Sequence, residues 1–266
     1  MPIEKLSKLI LLGTGTSTGV PSLSCLLKGG CSVCNSKDEK NIRTNTSLLI
    51  VHNGIDILID CGKDFRKQYE RYLRKYNTHK KPPIVLLTHP HADAILGLDD
   101  LKQMLEEPSP LYGDKSTLDL LKLRLHYIFK KDHNNIRAPD AFVPMEINAG
   151  IPLTFDGLVI EPFYVIHGTM PCLGFKINSK IAYVSDCSSM DGLLENLMNL
   201  DLLIIECNTM ELEMLGHFNF ENVKKIVEIV QPKRTILTGM SHLMNYSDFK
   251  STDGIEMGFD FMEIYL

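Results

Sequence analysis

Short apolar runs of strand length recur from one end of this chain to the other, and nothing else in the sequence constrains its fold as much. They fall at 8–12, 46–51, 55–60, 84–88, 158–161, 172–177, 181–185, 201–205 and 234–238. None approaches the roughly 20 apolar residues needed to span a bilayer. Asn53-Gly54 stands between the second and third runs. Asn-Gly is a strong two-residue hairpin signal, because both positions tolerate positive φ.

Helical spacing appears between the strands. Phe65, Tyr69, Tyr72, Leu73 and Tyr76 share one face of a predicted helix over 64–76. Lys63, Arg66, Lys67, Arg71, Arg74, Lys75, Lys80 and Lys81 read as its solvated basic face. Further helices are predicted at 99–105, at 117–129 with Ser116 as N-cap, and at 220–230 between the cap Asn219 and the terminator Pro232. Residues 106–156 carry prolines and a charged stretch, and read as an irregular insertion over one face. Hairpin-rich strands followed by mixed strands and helices predict a layered α/β protein. A single domain over 1–266 is expected.

Composition narrows the function. The net charge is -5, so broad nucleic-acid binding by phosphate neutralisation is disfavoured. The N-terminal residues lack the apolar core and cleavage site of a signal peptide, and the expected location is cytoplasmic, away from membranes. The seven cysteines are odd in number in a long chain, which argues against a disulfide framework.

Candidate ligands stand at strand ends. The run 84–88 delivers the chain into His89-Pro90-His91-Ala92-Asp93. Two imidazoles two positions apart converge on one cation if the loop turns, and a carboxylate completes a mixed site. His167, Asp186 and Asp60 also follow strand-length runs. Any one of these alone reads as a turn residue; four together point to a metal site.

Cys31-Ser-Val-Cys34, with Cys25 upstream, offers three thiolates, enough for three corners of a tetrahedral zinc site. A redox pair is the alternative, but the thioredoxin-like context is missing. Cys61, Cys172, Cys187 and Cys207 lie in or beside apolar stretches and read as packing residues. The segment from Gly13 to Gly19 lacks the Gly-Lys-Ser/Thr ending of a P-loop and reads as a tight turn. Arg43 and Asn45 read as exposed loop residues, with substrate contact as the alternative. His52, His79, His126 and His133 show no partners in sequence.

The sequence resembles the metallo-β-lactamase superfamily. The features carrying the resemblance are Leu12-Gly13-Thr14-Gly15, Leu58-Ile59-Asp60-Cys61-Gly62, the His89–Asp93 loop, His167, Ser185-Asp186 and Leu237-Thr238. Gly97-Leu98-Asp99-Asp100-Leu101 is similar to the phosphoribosyl cyclic phosphodiesterase group in particular. The resemblance implies a four-layer αββα sandwich. It also implies a catalytic Zn2+, with Mn2+ as the alternative, held by His89, His91, His167 and Asp186. Asp93 matches a second-site ligand, and His217 a histidine that helps catalysis. Cys25, Cys31, Cys34 and His242 match the ligands of a structural Zn2+. Two positions depart from the pattern: Ala94 and Gly239 stand where second-site histidines are usual. One tightly held catalytic metal is therefore expected, with the second weak or absent.

The expected activity is hydrolysis of a small cyclic phosphate or nucleotide-like diester, with Asp93 and His217 in catalysis. The alternatives are a tRNA 3′-processing endonuclease and a non-catalytic metal-binding interaction protein. The expected partner is the small phosphodiester substrate. A homodimer is compatible with the sequence.

Overall fold

The computed structural model describes residues 8–76, 81–129 and 141–265. His79, Lys80 and His133 lie outside the described residues. In chain order the elements are β1 (Lys8–Gly13), α1 (Leu23–Leu26), β2 (Ser47–His52), β3 (Ile55–Ile59), α2 (Phe65–Tyr76), β4 (Ile84–Leu86), α3 (Ala92–Ile95), α4 (Leu98–Leu101), β5 (Ser109–Gly113) and α5 (Lys115–Arg124). There follow β6 (Phe142–Glu146), β7 (Leu153–Phe155), β8 (Leu158–His167), β9 (Met170–Ile177), β10 (Ile181–Val184), β11 (Leu202–Glu206), α6 (Phe220–Val230), β12 (Thr235–Thr238), β13 (Ile255–Met257) and β14 (Met262–Tyr265). The chain divides into two compact units.

The first unit comprises Met1–Leu12, Ser47–Asn148 and Glu263–Leu266. Its sheet has the order β14-β1-β2-β3-β4-β5-β6. The β2–β3 pair is the hairpin expected from Asn53-Gly54, and both turn residues have positive φ, 47° and 83°. From β3 to β6 the pairing is parallel. β1 and β3 are almost wholly buried. The aromatic face of α2 is a continuous row of ring contacts, with centroids 5.1, 5.4 and 5.0 Å apart from Phe65 through Tyr69 and Tyr72 to Tyr76. Tyr72 donates to Asp56 of β3 at 2.7 Å, which fastens the helix to the sheet.

The second unit comprises Gly13–Thr46 and Ala149–Met262. Its sheet runs β13-β12-β11-β10-β9-β8-β7, parallel from β13 to β10 and antiparallel from there to β7. Val223, Ile226 and Val230 of α6 pack with Ala182, Val184, Leu203, Ile205 and Leu237 of the sheet. Asn219 caps α6 in a capping box with Asn222, and Gln231 at φ 50° ends it before Pro232, as the sequence predicts.

Three expectations change. The described residues of 106–156 are not irregular: β5 and β6 extend the first sheet, α5 packs on them, and β7 edges the second sheet. Pro110 and Pro144 disguise those strands in sequence, and Pro144 is tolerated because β6 lies at a sheet edge. The N-cap of α5 is Asp114, not Ser116; its side chain accepts from the Thr117 N–H at 2.8 Å. Arg43 and Asn45 are buried, not exposed. Arg43 donates to the carbonyls of Ser241 and Met244, and Asn45 to those of Thr16 and Ser17. Among the described residues no helix is long and apolar enough to cross a membrane.

Candidate metal centres

In the first unit the chain leaves β4 and turns at His89, and His91 stands at the N-cap position of the short helix α3. One potential ligand atom from each of His89, His91 and Asp93 lies within 4.8 Å of the others. The two imidazoles meet edge to face, with centroids 4.8 Å apart. Hydrogen bonds fix His89. The Thr88 N–H and hydroxyl both donate to Asp60, at 2.8 and 2.7 Å. Because the Thr88 proton is committed to a carboxylate, its oxygen accepts from His89 Nδ1 at 2.8 Å. The ligand lone pair is thereby placed on Nε2. Asp60, one of the strand-terminal acids picked out in sequence, is thus a support for His89. Arg124 of α5 donates to the Pro90 carbonyl and steadies the loop. Gly97 lets it pack: a Cβ there would lie 2.2 Å from the Gly62 carbonyl oxygen.

In the second unit β8 ends at His167. Its Nδ1 lies 2.6 Å from the Gly216 carbonyl, which can only accept, so Nδ1 carries the proton and Nε2 the lone pair. Nε2 is 3.8 Å from Asp186, which follows β10. The His167 and His217 rings are 4.8 Å apart.

Sequence alone did not single out Glu206. It ends β11 and is 1 % exposed. One of its oxygens accepts from the Cys187 N–H at 2.6 Å, and the other lies 2.5 Å from His217 Nδ1. Asp186, Glu206 and His217 each offer a potential ligand atom within 4.8 Å of the others. The signal was available: Glu206 is an acid directly after a strand-length run, like Asp60 and Asp186.

The cysteine group is also in the second unit. Cys25, Cys31, Cys34 and His242 place their ligand atoms within 4.8 Å of one another. Cys31 Sγ is 3.5 Å from His242 Nδ1. Backbone N–H groups of Cys31, Cys34 and Ser22 donate to the sulfurs of Cys25, Cys31 and Cys34. Burial alone would raise the Cys31 thiol, but hydrogen bonds from the Cys34 backbone, His242 and the other two cysteines bring it down to about 6. Burial and the neighbouring sulfurs push Cys34 up to about 11. Three sulfurs and an imidazole, charge-stabilised by N–H donors, suit a tetrahedral borderline-soft dication. Cys61, Cys187 and Cys207 are buried, and burial raises their thiols well above the ordinary range, as expected of packing residues.

Comparison with known proteins decides the family. Residues 56–240 match the model of the β-lactamase superfamily domain. The chain belongs to the metallo-β-lactamase superfamily. Its two mixed sheets with their helices are the metallo-β-lactamase fold. They match the crystal structure of a new diphosphatase from the PhnP family with TM-score 0.85 and 28% identity, over 98% of this chain and 97% of that one. The octanoyltransferase of Porphyromonas gingivalis is 34% identical over 236 residues, 88% of this chain and 46% of that protein. The ribonuclease Z of Bradyrhizobium diazoefficiens is 30% identical over 145 residues, 52% of this chain and 45% of that protein. The chain spans about half the length of these two curated relatives. Divalent-metal binding is a property this fold implies, and the His/Asp and Cys/His sets are the donors that fit it.

Proposed function

We propose that the protein is a metal-dependent hydrolase that cleaves a phosphoryl–oxygen bond in a small phosphodiester or diphosphate. One observation carries the reading. His89 and His167 each have Nδ1 tied to an oxygen acceptor, so both present Nε2 as a ligand, the arrangement of outer-shell support that metal-binding imidazoles use. In this reading His89, His91, His167 and Asp186 hold one catalytic Zn2+, with Mn2+ as the alternative. When bound, the ion supplies Lewis acidity, lowering the pKa of water towards ~7 and withdrawing charge from a phosphoryl oxygen. Asp93 orients the attacking water. His217, held through Nδ1 by Glu206, turns Nε2 to the leaving oxygen as proton donor.

The Cys25, Cys31, Cys34 and His242 group holds a structural Zn2+ in the same proposal. Tetrahedral bonds of about 2.3 Å to sulfur and 2.1 Å to nitrogen imply a ligand–ligand edge of roughly 3.6 Å. The 3.5 Å between Cys31 Sγ and His242 Nδ1 supports that assignment.

The test is turnover of a cyclic nucleotide, a chromogenic diester and a nucleoside diphosphate by the purified full chain, with His89→Ala as control. Metal-dependent turnover of at least one, lost in the variant, is expected. No turnover above the variant on any of them overturns the proposal. A pre-tRNA arm covers the second reading, favoured by the likeness to ribonuclease Z.

A further inference from the structure

Gly239 ends the β12 strand at φ 67°. A Cβ built on it would lie 2.8 Å from Glu206 Cγ and 3.4 Å from its Oε1. Glu206 therefore fills the volume into which any side chain at position 239 would project. Both of its oxygens are already engaged, one by the Cys187 N–H at 2.6 Å and one by His217 Nδ1 at 2.5 Å. Two short contacts, one at each oxygen, fix the orientation of this carboxylate.

We propose that the Glu206–His217 pair takes the place of a second catalytic ion, and that the glycine at 239 exists to admit Glu206. The chain is then mononuclear at its catalytic centre by construction. The inference rests on the catalytic ion proposed above.

Metal counting on the full chain tests it without any reading of activity. Wild type, Cys31→Ser, Glu206→Gln and the double variant Glu206→Ala/Gly239→His are equilibrated with Zn2+ or Mn2+, desalted and analysed for bound metal. Histidine is among the residues that accept a left-handed backbone, so the double variant is a reasonable host. About two ions per chain are expected in wild type and in Glu206→Gln, about one in Cys31→Ser, and about three in the double variant. Wild type with about three ions, falling to about two in Glu206→Gln, would make Glu206 a ligand and overturn the inference. So would a double variant that keeps its cysteine-bound ion and gains none. Wild type holding only the cysteine-bound ion would instead sink the hydrolase proposal, and this inference with it.

Discussion

Thr88 decides which nitrogen of His89 is available. Its hydroxyl donates to Asp60 and its oxygen accepts from His89 Nδ1, so one threonine transmits the orientation of a buried carboxylate to a candidate ligand. Thr88→Val keeps the shape and removes the link. It is expected to weaken binding of the catalytic ion by about 10–100-fold, the usual cost of losing an outer-shell partner, and to leave the cysteine-bound ion in place. Titration of the metal-free protein with Zn2+ checks this; unchanged affinity would show that the Asp60–Thr88 link is dispensable. At this scale the sequence was readable where chemistry is local. His89, His91 and Asp93 share one loop, and Cys31 and Cys34 one turn. Glu206 was not singled out, because its role depends on Gly239 and His217, which only the fold brings to it.

Among the elements, β14 pairs with β1 in the first sheet and is tied to its surroundings by charge as well. Glu263 pairs with Lys8 of β1 at 3.3 Å and with Lys75 of α2 at 2.5 Å. Burial alone would raise this carboxyl. Hydrogen bonds from Lys75, Tyr76 and Tyr265, with the charge of Lys8, overcome it and hold the group at about 2. The folded pKa lies below the unfolded value, so the stabilisation is fully present above about pH 4.5 and is lost as pH falls towards about 2. Glu263→Gln is therefore expected to be less stable than wild type at pH 7, with the gap closing through that window. Urea unfolding at a series of pH values measures it, and a gap constant down to pH 2 would contradict the assignment. Elements with clean apolar runs, such as β2, β3 and β10, were legible in the sequence. β5 and β6 were hidden by prolines; Pro144 lies in the edge strand β6, which needs fewer of its backbone N–H groups.

For the whole molecule, the cysteine cluster is one of the long-range ties within its unit, joining residues 25–34 to His242. Cys31→Ser is expected to lose one metal per chain and to lower the melting temperature by roughly 5–10 °C, taking 2–4 °C per kcal/mol for a chain of this size. Thermal unfolding with elemental analysis checks both. Loss of the metal with no change in melting temperature would show that the ion does not contribute to folding. The layered α/β class followed from strand-length runs alternating with helical spacing. The division into two sheets did not, because an apolar run carries no record of which strand it pairs with. The burial of Cys61, Cys172, Cys187 and Cys207 has a practical side. These sulfurs, like that of Cys34, are sealed from reagents, so an alkylating probe applied to the native protein meets Cys25 and Cys31 first. Its rate of incorporation then serves as a built-in clock for how often an ion bound at that corner would leave it.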